Sequence, residues 1–417
     1  MTETEPRTPP QAAPGTGGVS PAAGAATLSG HLKGYLRRLA SGDLGRLPIV
    51  VGLLLIGVIF TSLNNAFISP VNFTNLIVQM SPLVVIAAGV VFVLLIAEVD
   101  LSVGYVSGVA AVVVARLLTE NGWPVVTAVA LVVLTGLSIG WLQGVLVAKV
   151  GLPSLVVTLA GLVGWNGLVL VLIAGRGTVT ISSPFVVGIT NAYLSATVAY
   201  GVMAAFVAVY AVVQLQRRAA RTRADLPVVP MTVIVTRTAG VAALGFGAVF
   251  YASLGRGFPL IGVVLLVVIA AFTFVLERTS FGRHVLAIGG NREAARRAGI
   301  NVDRIRIICF MISATMASLG GLVFASRLRS VDTNAGGGQI ELNAIAAVVI
   351  GGTSLFGGHG KISSALFGAL VIQGVDNGMG LLGLSSGAKF LVTGFVLLVA
   401  VLVDSVARRG RTRSGLA

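Results

Sequence analysis

The sequence predicts an all-α polytopic membrane protein with about 10–12 transmembrane helices, some of them broken or re-entrant. Composition comes first: 56% of the 417 residues are hydrophobic and 10% are charged, against roughly 25% charged in a soluble domain. A chain so poor in charge cannot clothe itself in polar surface and needs lipid as its solvent. Length of the apolar runs comes second, because stretches of about 20 residues, each able to cross a hydrocarbon core as a helix, recur almost end to end. Pattern comes third: LIGVVLLVVIAAFTFVL at 260–276 does not alternate, as the strands of a transmembrane barrel would.

Residues 1–46 read as a disordered, basic-ended cytoplasmic tail. The first thirty are rich in Pro, Gly, Ala and Thr, and Lys33, Arg37, Arg38 and Arg46 follow them. No small-residue cleavage site follows the apolar run at 47–63, so it is expected to stay as the first helix of a transmembrane domain at 47–405. The remaining spans are placed near 75–97, 101–118, 124–147, 154–174, 193–215, 231–252, 259–276, 305–326, 342–357, 362–382 and 388–404. Both termini then fall on the cytoplasmic side, with a basic tail at 406–417 carrying Arg408, Arg409, Arg411 and Arg413. In this layout only Arg116, Arg176, Arg256, Arg327, Arg329 and Lys389, of 29 basic residues, lie outside, which fits the positive-inside rule. The same rule accounts for the net charge of +15, since the basic residues cluster in short loops. No nucleic-acid partner is expected.

Three stretches carry polar chemistry. AEVDLSVG at 97–104 sets Glu98, Asp100 and Ser102 between two apolar spans with almost no loop. Carboxylates near membrane depth face a cavity or a partner, whereas a turn at the cytoplasmic surface would make Asp100 the N-cap of a helix starting at Leu101. ERTSFGRHVLAIGGNREAARRAGINVDRIR at 277–306 is the longest polar interval within the hydrophobic body. There Asn291 is placed to cap a short surface helix, Glu293 sits in its first turn and Gly299 marks its end. The Gly289–Gly290 pair suits a sharp turn, and Ala294 and Ala295 lack bulk, so a partner could approach the backbone closely. Between 339 and 378, Asn343, Thr353, Asp376 and Asn377 interrupt apolar runs, and Gly351–Lys361 crowds glycines where a span should end. Such polar groups either line a pathway or hold neighbouring helices together.

Other chemistries are poorly supplied. GGHGKISS at 357–364 has Leu355 and Ile362 where a phosphate loop requires glycine and a hydroxyl residue. His31, His284 and His359 show no metal-ligand spacing. Cys309, the single cysteine, lies in an apolar run and is expected to pack as a small hydrophobe. No catalytic set, cofactor or metal is expected.

AEVDLSVG at 97–104, FGRHVLAIGGNREAARRAGI at 281–300, ELNAIAAVVIGGTSLFGG at 341–358 and VDNGM at 375–379 together resemble the permeases of bacterial ribose/xylose-type sugar ABC importers, the xylose-type branch most closely. The resemblance runs from about residue 47 to 405, and a helical hairpin around 193–258 is the feature that favours the xylose-type branch. It implies a homodimeric permease in the bacterial cytoplasmic membrane, served by a cytoplasmic ABC ATPase dimer and an extracytoplasmic sugar-binding protein. It also implies that Gly290, Asn291, Glu293, Ala294, Ala295 and Gly299 belong to the helix that couples to the ATPase. The main rival is an ion-coupled secondary sugar transporter with Glu98 and Asp100 as an ion site.

Overall fold

The computed structural model describes residues 47–395 and 398, so the expectations for the tails at 1–46 and 406–417, and for most of the last turns of the 388–404 span, fall outside the described residues. Among the described residues, seven helices are long and apolar enough to cross a membrane. They are α2 (Pro70–Leu95), α4 (Val125–Ala148), α5 (Ser154–Ile173), α7 (Ala196–Arg223), α8 (Met231–Ser253), α9 (Leu260–Arg278) and α12 (Val302–Leu328). Shorter apolar helices accompany them: α1 (Leu47–Leu63), α3 (Val103–Thr119) and α13 (Ile340–Ile350). α6 (Pro184–Asn191), α10 (Ser280–Gly290), α11 (Arg292–Arg297) and α14 (Ser363–Leu381) complete the numbered helices, and residues 386–395 are again helical. The chain is an all-α multi-pass membrane protein.

Two helices form its centre. In the most apolar window of α2, 78% of residues are buried, and in that of α12, 61%, against 11% for α7 and 17% for α8. Phe92 of α2 and Phe310 of α12 are wholly enclosed there, and Cys309 is buried beside them as a small apolar side chain. α4 reaches α12 through a stripe of Gly136, Gly140 and Gly144. A Cβ on Gly140 would lie 2.6 Å from Met311 Cα, and one on Gly144 2.8 Å from Ile307 Cα, so the two backbones are in direct contact. In lipid there is little hydrophobic gain in pairing helices, and such small-residue stripes let dispersion forces hold them.

The contacts sort the helix ends into two groups. Gly144 of α4 lies against Ile307 of α12, Arg217 of α7 pairs with Glu277 of α9, and Gly351 abuts Ser364 of α14. These ends, with α10 and α11, form what we call the near end. At the far end, two short β ladders pin loops: β1 (Val179–Thr180) to β4 (Ser330–Val331), with Val179 opposite Val331, and β2 (Tyr193–Leu194) to β3 (Phe258–Pro259). Arg116 and Arg176 clasp Glu120 at the same end.

Where the chain departs from straight spans, it does so inside the bundle. The expected span at 342–357 stops at Ile350, and residues 351–362 are not helical. The expected helix start at Leu101 moves to Val103, because Asp100 turns its carboxylate back onto Ser102 instead of capping a helix. α13 and α3 are both short, and their N-termini meet: Gly104 lies against Glu341 and Gly336. From that meeting point α3 runs to the far end and α13 to the near end. The loop at 332–339 descends to this level as well, with Gly108 against Ala335. Non-helical backbone at such depth is tolerated because protein surrounds it.

Candidate functional site

The α2–α3 connection is the structural hub of the site. α2 ends in a Schellman-type turn: Ala97 N–H donates to Leu94 O at 2.9 Å and Glu98 N–H to Val93 O at 3.1 Å, with Ala97 at φ +59°. Glycine is the usual occupant of that position, and a Cβ there costs roughly 1–2 kcal/mol. The turn throws Glu98 toward the near end, where its Oε1 accepts from Arg306 Nη2 at 2.7 Å and is also held by Arg292. Glu98 and Arg306 are each about nine-tenths buried. Arg292 opens α11, so the first polar motif is bolted directly to the second.

Asp100 faces the other way. Its Oδ1 accepts from Ser102 N at 3.0 Å and Ser102 Oγ at 2.7 Å, and its Oδ2 accepts from Ser313 Oγ at 2.9 Å. Gln143 of α4 donates to Ser102 Oγ at 2.9 Å. Ser313 lies eleven residues past the start of α12, about 16 Å along the helix at 1.5 Å per residue. Of the two readings of this turn, the one in which its carboxylates face protein partners matches these contacts. Asp100 is wholly enclosed, and its hydrogen bonds join α12 and, through Ser102, α4 to the loop.

This geometry separates two substitutions. Asp100→Asn keeps an acceptor for Ser102 and presents an amide to Ser313, whose hydroxyl can accept as readily as donate. Asp100→Ala leaves the Ser102 N–H and the Ser313 hydroxyl buried without partners, at about 1–3 kcal/mol each. Thermal unfolding in detergent should show a small loss for the asparagine variant and a loss of several degrees for the alanine variant; equal losses would contradict the assigned hydrogen bonds.

α11 forms as the sequence predicts: Asn291 Oδ1 accepts from Ala294 N at 2.9 Å, and Gly299 takes φ +82° beyond its end. Two details are corrected. Gly289 and Gly290 do not make the turn, because both lie in α10; extended Asn291, at φ −156°, makes it. Gly289 is glycine for closeness, since a Cβ there would run into Leu95 O and Gly358 N. Ala295 points inward, 4% exposed in the same core as Phe310, so the exposed face of α11 is formed by Asn291, Glu293 and Ala294 and not by Ala295.

The third motif closes the assembly. Gly358 N–H donates to Leu95 O at 2.9 Å, and a Cβ on Gly357 (φ +81°) would lie 3.0 Å from Gly289 O. Residues far apart in sequence, at 95–98, 289–292 and 357–358, thus share one node at the near end. Thr353 is buried nearby with no partner for its hydroxyl among the described residues.

Asn343 and Asp376 lie elsewhere. With Gln339, Gln373, Lys389 and Phe324 they line a cavity of ≈ 280 Å³ between α12, α13, α14 and the helical residues after 385. Asp376 Oδ2 accepts from Gln373 at 2.8 Å, and Lys389 stands 4.0 Å from Oδ1. Asn343 Oδ1 has no partner among the described residues. Asn377 is turned away and joins Asn72 at 2.8 Å and Gln79 at 3.0 Å, fastening α14 to α2. The structure therefore gathers Glu98 with the α11 segment, and Asn343 with Asp376, but does not unite these groups in one site. Sequence reasoning missed Arg292, Arg306, Ser313 and Gln143 as partners. It also passed over Glu341, which lies where the two half-helices meet and whose Oε2 is buried and unpartnered. The one available signal was its own isolation, a carboxylate within an apolar run.

Comparison with known proteins bears on this arrangement. A family model described as branched-chain amino acid transport system / permease component matches residues 72–401. The xylose transport system permease protein XylH of Escherichia coli (strain K12) is 35% identical over 372 residues, covering 89% of this chain and 94% of its own length. The protein of that name from Haemophilus influenzae is 36% identical over 345 residues, covering 82% and 91%. The ribose import permease protein RbsC of Bacillus subtilis is 32% identical over 363 residues, covering 87% and 94%. No solved structure matches the chain.

Proposed function

We propose that this chain, which belongs to the branched-chain amino acid transport system / permease component family, is the membrane subunit of an ATP-driven importer that carries a monosaccharide, a xylose-like pentose being favoured, into the cell. The matched description names branched-chain amino acids, whereas the two kinds of relative, named for xylose and ribose, support a sugar as the substrate class. The hairpin of α7 and α8, expected from the xylose-type resemblance, favours that branch. On this reading the near end is cytoplasmic, both termini lie on that side, a second copy completes the permease, and a binding protein delivers sugar at the far end. The cavity holding Asn343, Gln373 and Asp376 is the candidate pathway. It offers the paired donors and acceptors that sugar hydroxyls need, and Asn343 Oδ1 is free to accept.

One observation carries the coupling role: α11, with its exposed Asn291, Glu293 and Ala294, is tied through Arg292 and Glu98 to the interior loop that carries Asp100. A push on α11 from an ATPase would reach the broken helices directly. The rival ion-coupled reading needs Glu98 and Asp100 as an ion site, yet two guanidinium groups hold the first and three hydrogen bonds the second.

Docking is tested on the outward face of α11. Glu293 is exposed, pairs with Arg297 at 3.2 Å and sits in the helix's first turn, where negative charge is favoured. Glu293→Lys should weaken co-purification of the cognate ATPase more at low salt than at high salt. Ala294→Trp should block it at any salt, because the obstruction is steric. The permease itself should unfold at its usual temperature in both variants. Full ATPase recovery with both would place the docking surface elsewhere.

A further inference from the structure

The α7–α8 hairpin encloses a cavity of ≈ 490 Å³ at the near end, lined by Arg217, Arg218, Arg221, Arg237 and Arg278 with Glu277 as the single carboxylate. The hairpin supplies most of the lining, and the end of α9 adds Glu277 and Arg278. Arg218 donates to Val229 O, and Arg221 donates to Pro227 O at 2.9 Å, so two arginines fold the turn at 224–230 over the cavity. Arg217 reaches across to Glu277 at 3.3 Å, yet its Nε is buried with no partner. Arg237 has no hydrogen bond or ion pair among the described residues. It lies six residues into α8, about 9 Å along the helix.

That position is hard to explain by protein contacts alone. α7 and α8 are the least buried of the seven long helices, so their outer faces meet lipid. Arg237 is exposed and opens onto the cavity, and a guanidinium within the first two turns of such a helix calls for water or a counter-charge there. The positive-inside rule assigns basic residues to one side of a membrane; it does not gather arginines from α7, α8 and α9 around one cavity with a single carboxylate among them.

We propose that this cavity binds a phosphate-bearing anion and that the phosphodiester headgroup of an anionic membrane lipid is its occupant. Guanidinium forks match phosphate oxygens in geometry as well as charge. Basic pockets between helices at a membrane surface suit such headgroups. Arg237 is the uncommitted guanidinium and Arg217 lines the same cavity beside its Glu277 contact, whereas Arg218 and Arg221 shape the wall. The site is separate from α11 and does not depend on the transport reading.

The test uses the full-length protein in mixed micelles, titrated in parallel with phosphatidylglycerol, with phosphatidylcholine and with inorganic phosphate. Bound lipid is counted by native mass spectrometry, and phosphate by competition against the lipid. Wild type should bind phosphatidylglycerol saturably and at least tenfold more tightly than phosphatidylcholine. Arg237→Gln should weaken this about fivefold, and Arg217→Gln with Arg237→Gln about twenty-five-fold, at roughly a factor of five per arginine near a charged headgroup. Arg304→Gln, an equal loss of charge at the same end but outside the cavity, should leave it unchanged. Saturable binding of inorganic phosphate alone, lost in the same variants, would support the anion site and assign it to a soluble ligand. An equal loss in Arg304→Gln, or wild-type affinity in the exposed single variant Arg237→Gln, would overturn the proposal.

Discussion

Glu98→Ala should destabilise the folded protein by about 3–5 kcal/mol and abolish uptake in reconstituted vesicles, because it leaves a buried guanidinium without its counter-ion. Arg306 is about nine-tenths enclosed, and its Nε already lacks a partner, so the whole burden of neutralising it falls on Glu98. Arg292 is 43% exposed and can turn to water, so Arg292→Ala should cost far less stability, at most about 1 kcal/mol, as surface ion pairs do. The two variants separate folding from coupling. Arg292→Ala removes the direct tie between α11 and the interior loop while sparing the buried pair; it should uncouple ATP hydrolysis from uptake in a protein that still unfolds near the wild-type temperature. Melting temperatures in detergent, with hydrolysis and uptake measured on the same proteoliposomes, decide the matter. Glu98→Ala with wild-type stability would show that the pair is solvated and that the tie is not rigid.

The bilayer-scale features were legible because each rests on composition alone. Runs of apolar residues defined α4, α5, α8, α9 and α12 within about three residues, whereas α2 starts at Pro70 rather than near 75 and α7 continues to Arg223 rather than ending near 215; Asn291 and Gly299 marked the ends of α11 through local backbone chemistry. What could not be read was depth. Glu98 and Asp100 are two residues apart, yet one turns to the near end and the other into the bundle, and the division depends on Ala97 adopting φ +59°. Only tertiary contacts force alanine into that conformation. Partners on distant helices were hidden for the same reason: Ser313 and Gln143 are unremarkable polar residues in apolar spans until the glycine stripe of α4 brings that helix against α12. Ala295 misled because small size signals close approach without saying whether a partner or the chain's own core makes it. Gly289 and Gly290 misled in the same way, since closeness and turning both select glycine.

That ambiguity yields the sharpest contrast between neighbouring positions. Gly289→Ala should destabilise the protein by about 2–6 kcal/mol. The new methyl must displace the Leu95 carbonyl and the Gly358 amide, both backbone groups that cannot rotate away. Overpacking of this kind costs about 1–3 kcal/mol, and breaking the Gly358 N–H to Leu95 O bond strands two polar groups for about 1–3 kcal/mol more. Gly290→Ala should be neutral or mildly stabilising, by up to about 1 kcal/mol, because its Cβ would enter open space and alanine is the better helix former. Uptake should fall with Gly289→Ala even at temperatures where the variant is folded, since the methyl wedges apart the node that joins α2, α10 and residues 357–358. Parallel melting curves for the two variants supply the check: equal stability would mean that the node is loose enough to absorb a methyl, and that α11 moves independently of the broken helices.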